Sequence, residues 1–96
     1  MKRSQAKSIG ELLRVYLRQE GLETPLNEQR LISGWPDVMG ATIASYTRDV
    51  YIKNGVLYVH VTSAALRQEL MMGRAMIVRN LNSYVGASVI TDIVIR

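Results

Sequence analysis

The tetrapeptide Lys53-Asn54-Gly55-Val56, set between two stretches of alternating apolar and polar residues, constrains this chain more than any other feature. Asn-Gly readily takes positive φ at both central positions of a type I′ turn, whose twist matches that of paired strands. A two-residue loop leaves one register. Lys53 then faces Val56, Ile52 faces Leu57, Tyr51 faces Tyr58, Val50 faces Val59 and Asp49 faces His60. Alternation sorts the side chains: Val50, Ile52, Leu57 and Val59 share the face that must be buried, while Asp49, Tyr51, Lys53, Tyr58 and His60 share the other.

Helical periodicity surrounds this hairpin. Met1 to Lys7 is a flexible, basic arm. From Ser8 to Glu20, Ser8 and Glu11 form a capping box, and Ile9, Leu12, Leu13, Tyr16 and Leu17 recur at the spacing of one buried face. Gly21 stops that helix. A second opens with Thr24 as N-cap and Pro25 at the first helical position, and presents Leu26, Leu31 and Ile32. It meets Gly34-Trp35-Pro36, where proline disfavours the α conformation in the preceding residue and predicts a break at Trp35. Trp35 is the anchor of this break. Pro36 starts a further helix with Met39, Ile43 and Tyr46 along one side, and Gly40 allows another backbone to come close.

After the hairpin, Ser63 caps a long helix predicted from Ala64 to Tyr84. Leu66, Leu70, Gly73, Ile77, Leu81 and Tyr84 lie within one arc and form its core face. Arg67 and Arg74 sit at the edge of that arc, beside Met71 and Val78. Met72 and Met76 lie nearly opposite, with Gln68 and Arg79. Methionines one turn apart on an outer face suit an irregular protein partner, and they equally suit packing under the N-terminal helix. Gly86 ends the helix, and Ser88 to Arg96 is predicted as a strand with Val89, Thr91, Ile93 and Ile95 on one face. A right-handed crossover through the long helix sets this strand parallel to the second. The expected fold is α+β: helices on one face of a three-stranded sheet with a ββαβ core, KH-like in order, in a single domain over residues 8–96.

Composition limits the chemistry. The chain has 96 residues and no cysteine, which removes disulfides, thiolate metal sites and cysteine nucleophiles. One histidine leaves no metal-ligand cluster, and there is neither a glycine-rich phosphate loop nor a pair of carboxylates at catalytic spacing. No metal, cofactor or enzymatic activity is expected. No apolar run approaches the roughly 20 residues that span a bilayer, so the expected location is the cytoplasm, with no membrane partner. His60 opposite Asp49 has no nucleophile near it in sequence and reads as a cross-strand ion pair.

Charge is uneven. Residues 1–18 hold Lys2, Arg3, Lys7, Arg14 and Arg18 against Glu11, which accounts for the whole net charge of +4. A basic arm on a near-neutral body suits a polyanion met at one end, and it equally suits solvated helix charges. Lys53, Arg67 and Arg74 join the arm as candidate phosphate contacts. Tyr51 and Tyr58 read either as a base-stacking platform or, more simply, as a cross-strand aromatic pair. The chain lacks the G-x-x-G clamp of nucleic-acid-binding KH domains.

An ordered series of short motifs extends this reading: Trp35-Pro36-Asp37-Val38-Met39-Gly40, Ile43-Ala44, Tyr46-Thr47, Asn54 to Val61, Ser63 to Leu70, Leu81-Asn82 and Gly86. Together they resemble the DciA family, long catalogued as a domain of unknown function. The resemblance covers roughly residues 8–96. It implies a non-enzymatic role in bacterial replication, with a KH-like domain that binds the replicative helicase DnaB, assists its loading and also binds DNA. On that implication Lys2, Arg3, Lys7, Arg14 and Arg18 contact phosphate, and an outer surface that includes Met72, Met76 and Arg79 engages the helicase. Many relatives add a long basic extension, whereas this sequence ends at Arg96, so the domain and its arm are expected to suffice unless another protein contributes. The absence of cysteine contradicts any zinc-ribbon description. The alternatives are a stand-alone single-stranded DNA or RNA binder working through Tyr51 and Tyr58, and a homo-oligomeric module associating through Met72 and Met76. The expected state is a monomer or weak dimer.

Overall fold

The computed structural model describes residues 9–13 and 23–96. Its elements are α1 (Glu23–Ser33), α2 (Trp35–Met39), α3 (Ala41–Ser45), β1 (Thr47–Lys53), β2 (Val56–Val61), α4 (Ala64–Met72), α5 (Arg74–Val85) and β3 (Asp92–Ile95). The sheet order is β1-β2-β3, with β1 antiparallel and β3 parallel to β2. The predicted α+β class is present, with a mixed three-stranded sheet, and two helices stand between β2 and β3 where one was expected.

The hairpin follows its turn chemistry. Asn54 has φ 54° and Gly55 has φ 77°, and the register is the predicted one from Lys53↔Val56 to Asp49↔His60. A bulge between Thr47 and Asp49 gives β1 one extra residue, Arg48. Such a bulge bends a strand where it leaves a sheet. Leu57 and Val59 are buried, Val50 and Ile52 pack partly against the core, and the opposite face stays open to solvent.

That core gathers residues from every layer: Leu31 of α1, Trp35 of α2, Leu70 of α4, Ile77 and Leu81 of α5, and Ile93 of β3. Trp35 is the predicted anchor. Its ring is buried, and Nε1 donates to Thr47 Oγ1 over 3.0 Å. The Thr47 hydroxyl passes the bond on to the Ile43 carbonyl at 2.9 Å, so one relay ties α2 and α3 to β1. The break falls at Gly34, one residue earlier than expected, with Trp35 already helical, and Gly40 divides the helix expected from Pro36 into α2 and α3.

The structure corrects several expectations. Thr24 and Pro25 lie inside the first turn of α1, because the helix begins at Glu23. Gly40 admits no close backbone: nothing lies within 4 Å of where its Cβ would be, and its φ of 94° is what calls for glycine. The close approach is at Gly34, where a Cβ would fall against the Tyr84 ring, 2.7 Å from Cδ2 and 2.9 Å from Cζ.

The long helix is two helices. Ser63 caps α4, its hydroxyl accepting from the Leu66 amide at 3.2 Å, but Gly73 leaves helical geometry at φ −107°, ψ 20°. Periodicity alone cannot register this bend, because Leu70 before it and Ile77 after it are both buried. With the bend, α4 packs on β2 and β3 while α5 also reaches α1 and α2. Tyr84, expected in the core, is half exposed, and Val85 takes the buried position.

The last strand is shorter than predicted and begins in a different phase. Gly86 ends α5 in the left-handed conformation, as expected. Asn82 then intervenes: its Oδ1 accepts from the Val89 and Ile90 amides at 3.0 and 3.1 Å, and its Nδ2 donates to the Ile90 carbonyl at 2.9 Å. The segment 88–91 is held off the ladder, Ile90 is buried and Thr91 is exposed.

The helix predicted from Ser8 to Glu20 is described only at residues 9–13, which are helical. Ile9, Leu12 and Leu13, expected on a buried face, are exposed. Its remaining positions, including Ser8, Tyr16 and Leu17, lie outside the described residues.

Candidate nucleic-acid and partner interfaces

The open sheet face is built by strand parity. The register that buries Leu57 and Val59 turns Tyr51 and Tyr58 outward. Their rings stack, with centroids 4.9 Å and planes 9° apart. Parallel pairing sets Ile95 beside Val59, so the following residue, Arg96, comes out on the tyrosine side. Its guanidinium lies 5.2 Å from the Tyr58 ring centroid and donates from Nη2 to the Tyr51 hydroxyl at 2.8 Å. Sequence reasoning misses Arg96, and the predicted alternation that puts Ile93 and Ile95 on one face, and so Arg96 on the other, was the signal that could have found it. Lys53, Asp49 and His60 are exposed on the same face. The cluster is thus a paired aromatic surface with a cation fixed over it, an arrangement that can stack planar bases and meet phosphate.

The second surface lies on the helices. Ala64, Arg67, Gln68, Met71, Met72 and Arg74 line an open groove of about 650 Å³. Met72 is 82% exposed, Met76 is 55% exposed and Met71 is 49% exposed. The predicted outer position of Met72 and Met76 is therefore present, while Met71, placed beside the core arc in sequence, faces solvent too. Arg67 is half-buried and donates from Nη1 to the Val61 carbonyl at 2.6 Å. That bond caps the end of β2 and holds the guanidinium at the groove. Arg74 and Arg79 are exposed.

A third polar contact joins α2 to α5. The Tyr84 hydroxyl donates to Asp37 Oδ2 over 2.9 Å. The hydrogen bond to Asp37, and the repulsion between its carboxylate and a phenolate, hold the Tyr84 phenol above its ordinary value of 10.0.

Of the predicted site residues, the structure brings Tyr51 and Tyr58 together, and it brings Arg67 and Arg74 together with Met71 and Met72. It does not merge these two groups into one site. Lys2, Arg3, Lys7, Arg14 and Arg18 lie outside the described residues. Among the described residues no group of histidines and carboxylates could hold a metal ion, and no helix is long and apolar enough to cross a membrane.

Comparison with known proteins adds three findings. The family model described as "Dna[CI] antecedent, DciA" matches residues 8–95. A UPF0232 protein of Corynebacterium glutamicum is 29% identical over 88 residues, covering 92% of this chain and 49% of that protein. A UPF0232 protein of Mycolicibacterium paratuberculosis is 29% identical over 85 residues, covering 88% of this chain and 47% of that protein. The chain spans about half the length of the curated relatives it matches.

Proposed function

The chain belongs to the DciA family, and on that premise we propose that it is a non-enzymatic adaptor of DNA replication, binding a DnaB-type replicative helicase and DNA and assisting helicase loading. The observation that carries this reading is the family match across residues 8–95. In this reading residues 8–96 act as one domain, preceded by a basic arm. Lys2, Arg3, Lys7, Arg14 and Arg18 supply phosphate contacts, and the outer helix surface of Met72, Met76 and Arg79 meets the helicase.

A pull-down with the purified replicative helicase of the source organism tests the first half, and absence of association sinks the loader role. DNA affinity should fall steeply with added salt, because each neutralised phosphate releases counterions. A salt-independent affinity would contradict binding through the arm.

One observation favours a second reading, a stand-alone single-strand binder. The stacked Tyr51–Tyr58 pair with Arg96 over it is an exposed aromatic surface of the kind that receives bases. Replacing both tyrosines with alanine separates the two. Nucleic-acid affinity collapses under the second reading and barely changes under the first.

A further inference from the structure

We infer that the groove along α4 receives an acidic amphipathic helix of the replicative helicase, its apolar side chains on Met71 and Met72 and its carboxylates on Arg67 and Arg74. This inference rests on the adaptor reading and specifies what the helicase must present.

Charge and surface type both point to that occupant. The groove is lined by two guanidinium groups and no carboxylate. Its apolar part is methionine, whose unbranched thioether adapts to an irregular partner surface. Met72 is the most exposed methionine among the described residues; Met76, on α5 beyond the bend at Gly73, is exposed as well but does not line the groove. A phosphate site has no use for exposed methionine, whereas a helix laid in a groove needs apolar contact along one face and charge at its margin.

Arg67 is prepared for carboxylate recognition. The Val61 carbonyl holds Nη1 at 2.6 Å, so part of the side chain's ordering cost is met before a partner arrives. The rest of the planar fork remains for a carboxylate. Arg74 follows the bend at Gly73, and its guanidinium supplies the second charge.

Other occupants fit less well. The chain's own first 18 residues carry a net charge of +4 and would bring cations to cations. DNA would match the arginines and leave the exposed methionines unused.

The test uses the full chain, with its methionine ε-methyl groups carbon-13 labelled, titrated against the purified helicase. Met71 and Met72 methyl signals should shift while that of Met39, half-buried beside the core, holds still. Met72→Ala and Arg74→Glu should each weaken helicase binding by about tenfold or more, and Met72→Ala, which alters no charge, should leave DNA affinity at low salt unchanged. Both positions are exposed, and an unchanged melting temperature confirms that the variants fold. Equal helicase affinity for wild type and both variants overturns the groove assignment and leaves the adaptor reading standing. No helicase binding by wild type overturns both. Loss of DNA binding alone makes the groove a phosphate site, and a change confined to self-association makes it a contact between copies; either result overturns the inference.

Discussion

Asn82→Ala should be among the most destabilising single substitutions available on a half-buried position of this chain. The side chain makes three hydrogen bonds to the backbone of Val89 and Ile90, and alanine makes none. Val89 is half-buried and its amide can find water. Ile90 is 2% exposed, so its amide and carbonyl would stay largely out of water without a partner. Each such group costs about 1–3 kcal/mol when left unsatisfied, and partial relaxation brings the expected loss to about 2–4 kcal/mol. A domain of this size holds about 5–15 kcal/mol in total. At about 4–8 °C per kcal/mol for a chain of this length, the melting temperature should fall by roughly 10–25 °C. Urea unfolding followed by the fluorescence of Trp35, the chain's single tryptophan, reads the stability directly. Amide exchange at Ile90 reads the local event. A melting temperature within about 3 °C of wild type, with the Ile90 amide still protected, would refute the reasoning and show that the segment is held by the burial of Ile90 alone.

Three further outcomes are expected. Gly34→Ala should destabilise the wild-type chain by pressing on the Tyr84 ring; in a Tyr84→Ala background it should stabilise by up to about 1 kcal/mol, since Gly34 sits at φ −83°, ψ −5°, where alanine is favoured over glycine. The same sign in both backgrounds, by thermal melting, would show that the ring contact is not what selects glycine. Thr47→Val should cost about 1–3 kcal/mol in chemical denaturation, because it leaves the Trp35 indole N–H buried without its acceptor; a neutral result would mean that the indole finds another partner. Tyr84 ionises above its ordinary value of 10.0 in the folded state, so its contribution to stability is present at neutral pH and is lost as pH rises through that raised value. Ultraviolet titration, with Tyr84→Phe identifying the signal, should show Asp37→Asn bringing the ionisation down toward 10.0, and no change would assign the shift to another cause.

Local chemistry was legible in the sequence and contacts between distant residues were not. Asn54-Gly55 settles its own backbone and therefore the pairing of five residue pairs. Ser63 and Gly86 are caps whose partners lie within four residues, and both act as read. Trp35 is recognisable as an anchor because a lone indole beside a helix break has nowhere better to go than the core. The failures share another character. Ile90 is turned inward by Asn82, eight residues back, and alternation carries no trace of that bond. Tyr84 is displaced to half exposure against Gly34 and Asp37, far away in the chain. Gly73 bends a helix whose apolar period runs through it undisturbed. The stripe of Ile9, Leu12 and Leu13 has the period of a buried face and is exposed. Of the two candidate surfaces, the tyrosine pair followed from the hairpin register, whereas Arg96 required the pairing of Ile95 with Val59, which the alternation of Ile93 and Ile95 does not fix. The groove required the bend at Gly73 and the Arg67–Val61 bond, neither of which spacing can supply.

The two surfaces also differ in where the fold puts them, and this bears on what an adaptor can do. Helices packed on one side of a sheet leave two outer faces, one of strands and one of helices. The Tyr51–Tyr58–Arg96 cluster belongs to the first and the methionine groove to the second. Ligands on these faces need not compete, and each face can be altered without touching a residue of the other. An adaptor that holds a helicase and a nucleic acid together requires that independence. In a combination of the two readings, with the helicase on the helix face and bases on the sheet face in place of the arm, Met72→Glu and the paired substitution of Tyr51 and Tyr58 by alanine should each remove one partner and leave the other bound. The ternary assembly should be lost in both cases, measured by co-sedimentation of helicase, protein and a single-stranded oligonucleotide. Loss of both partners from either variant would mean that the two ligands share one surface, and division of the fold into two binding faces would then have no functional meaning.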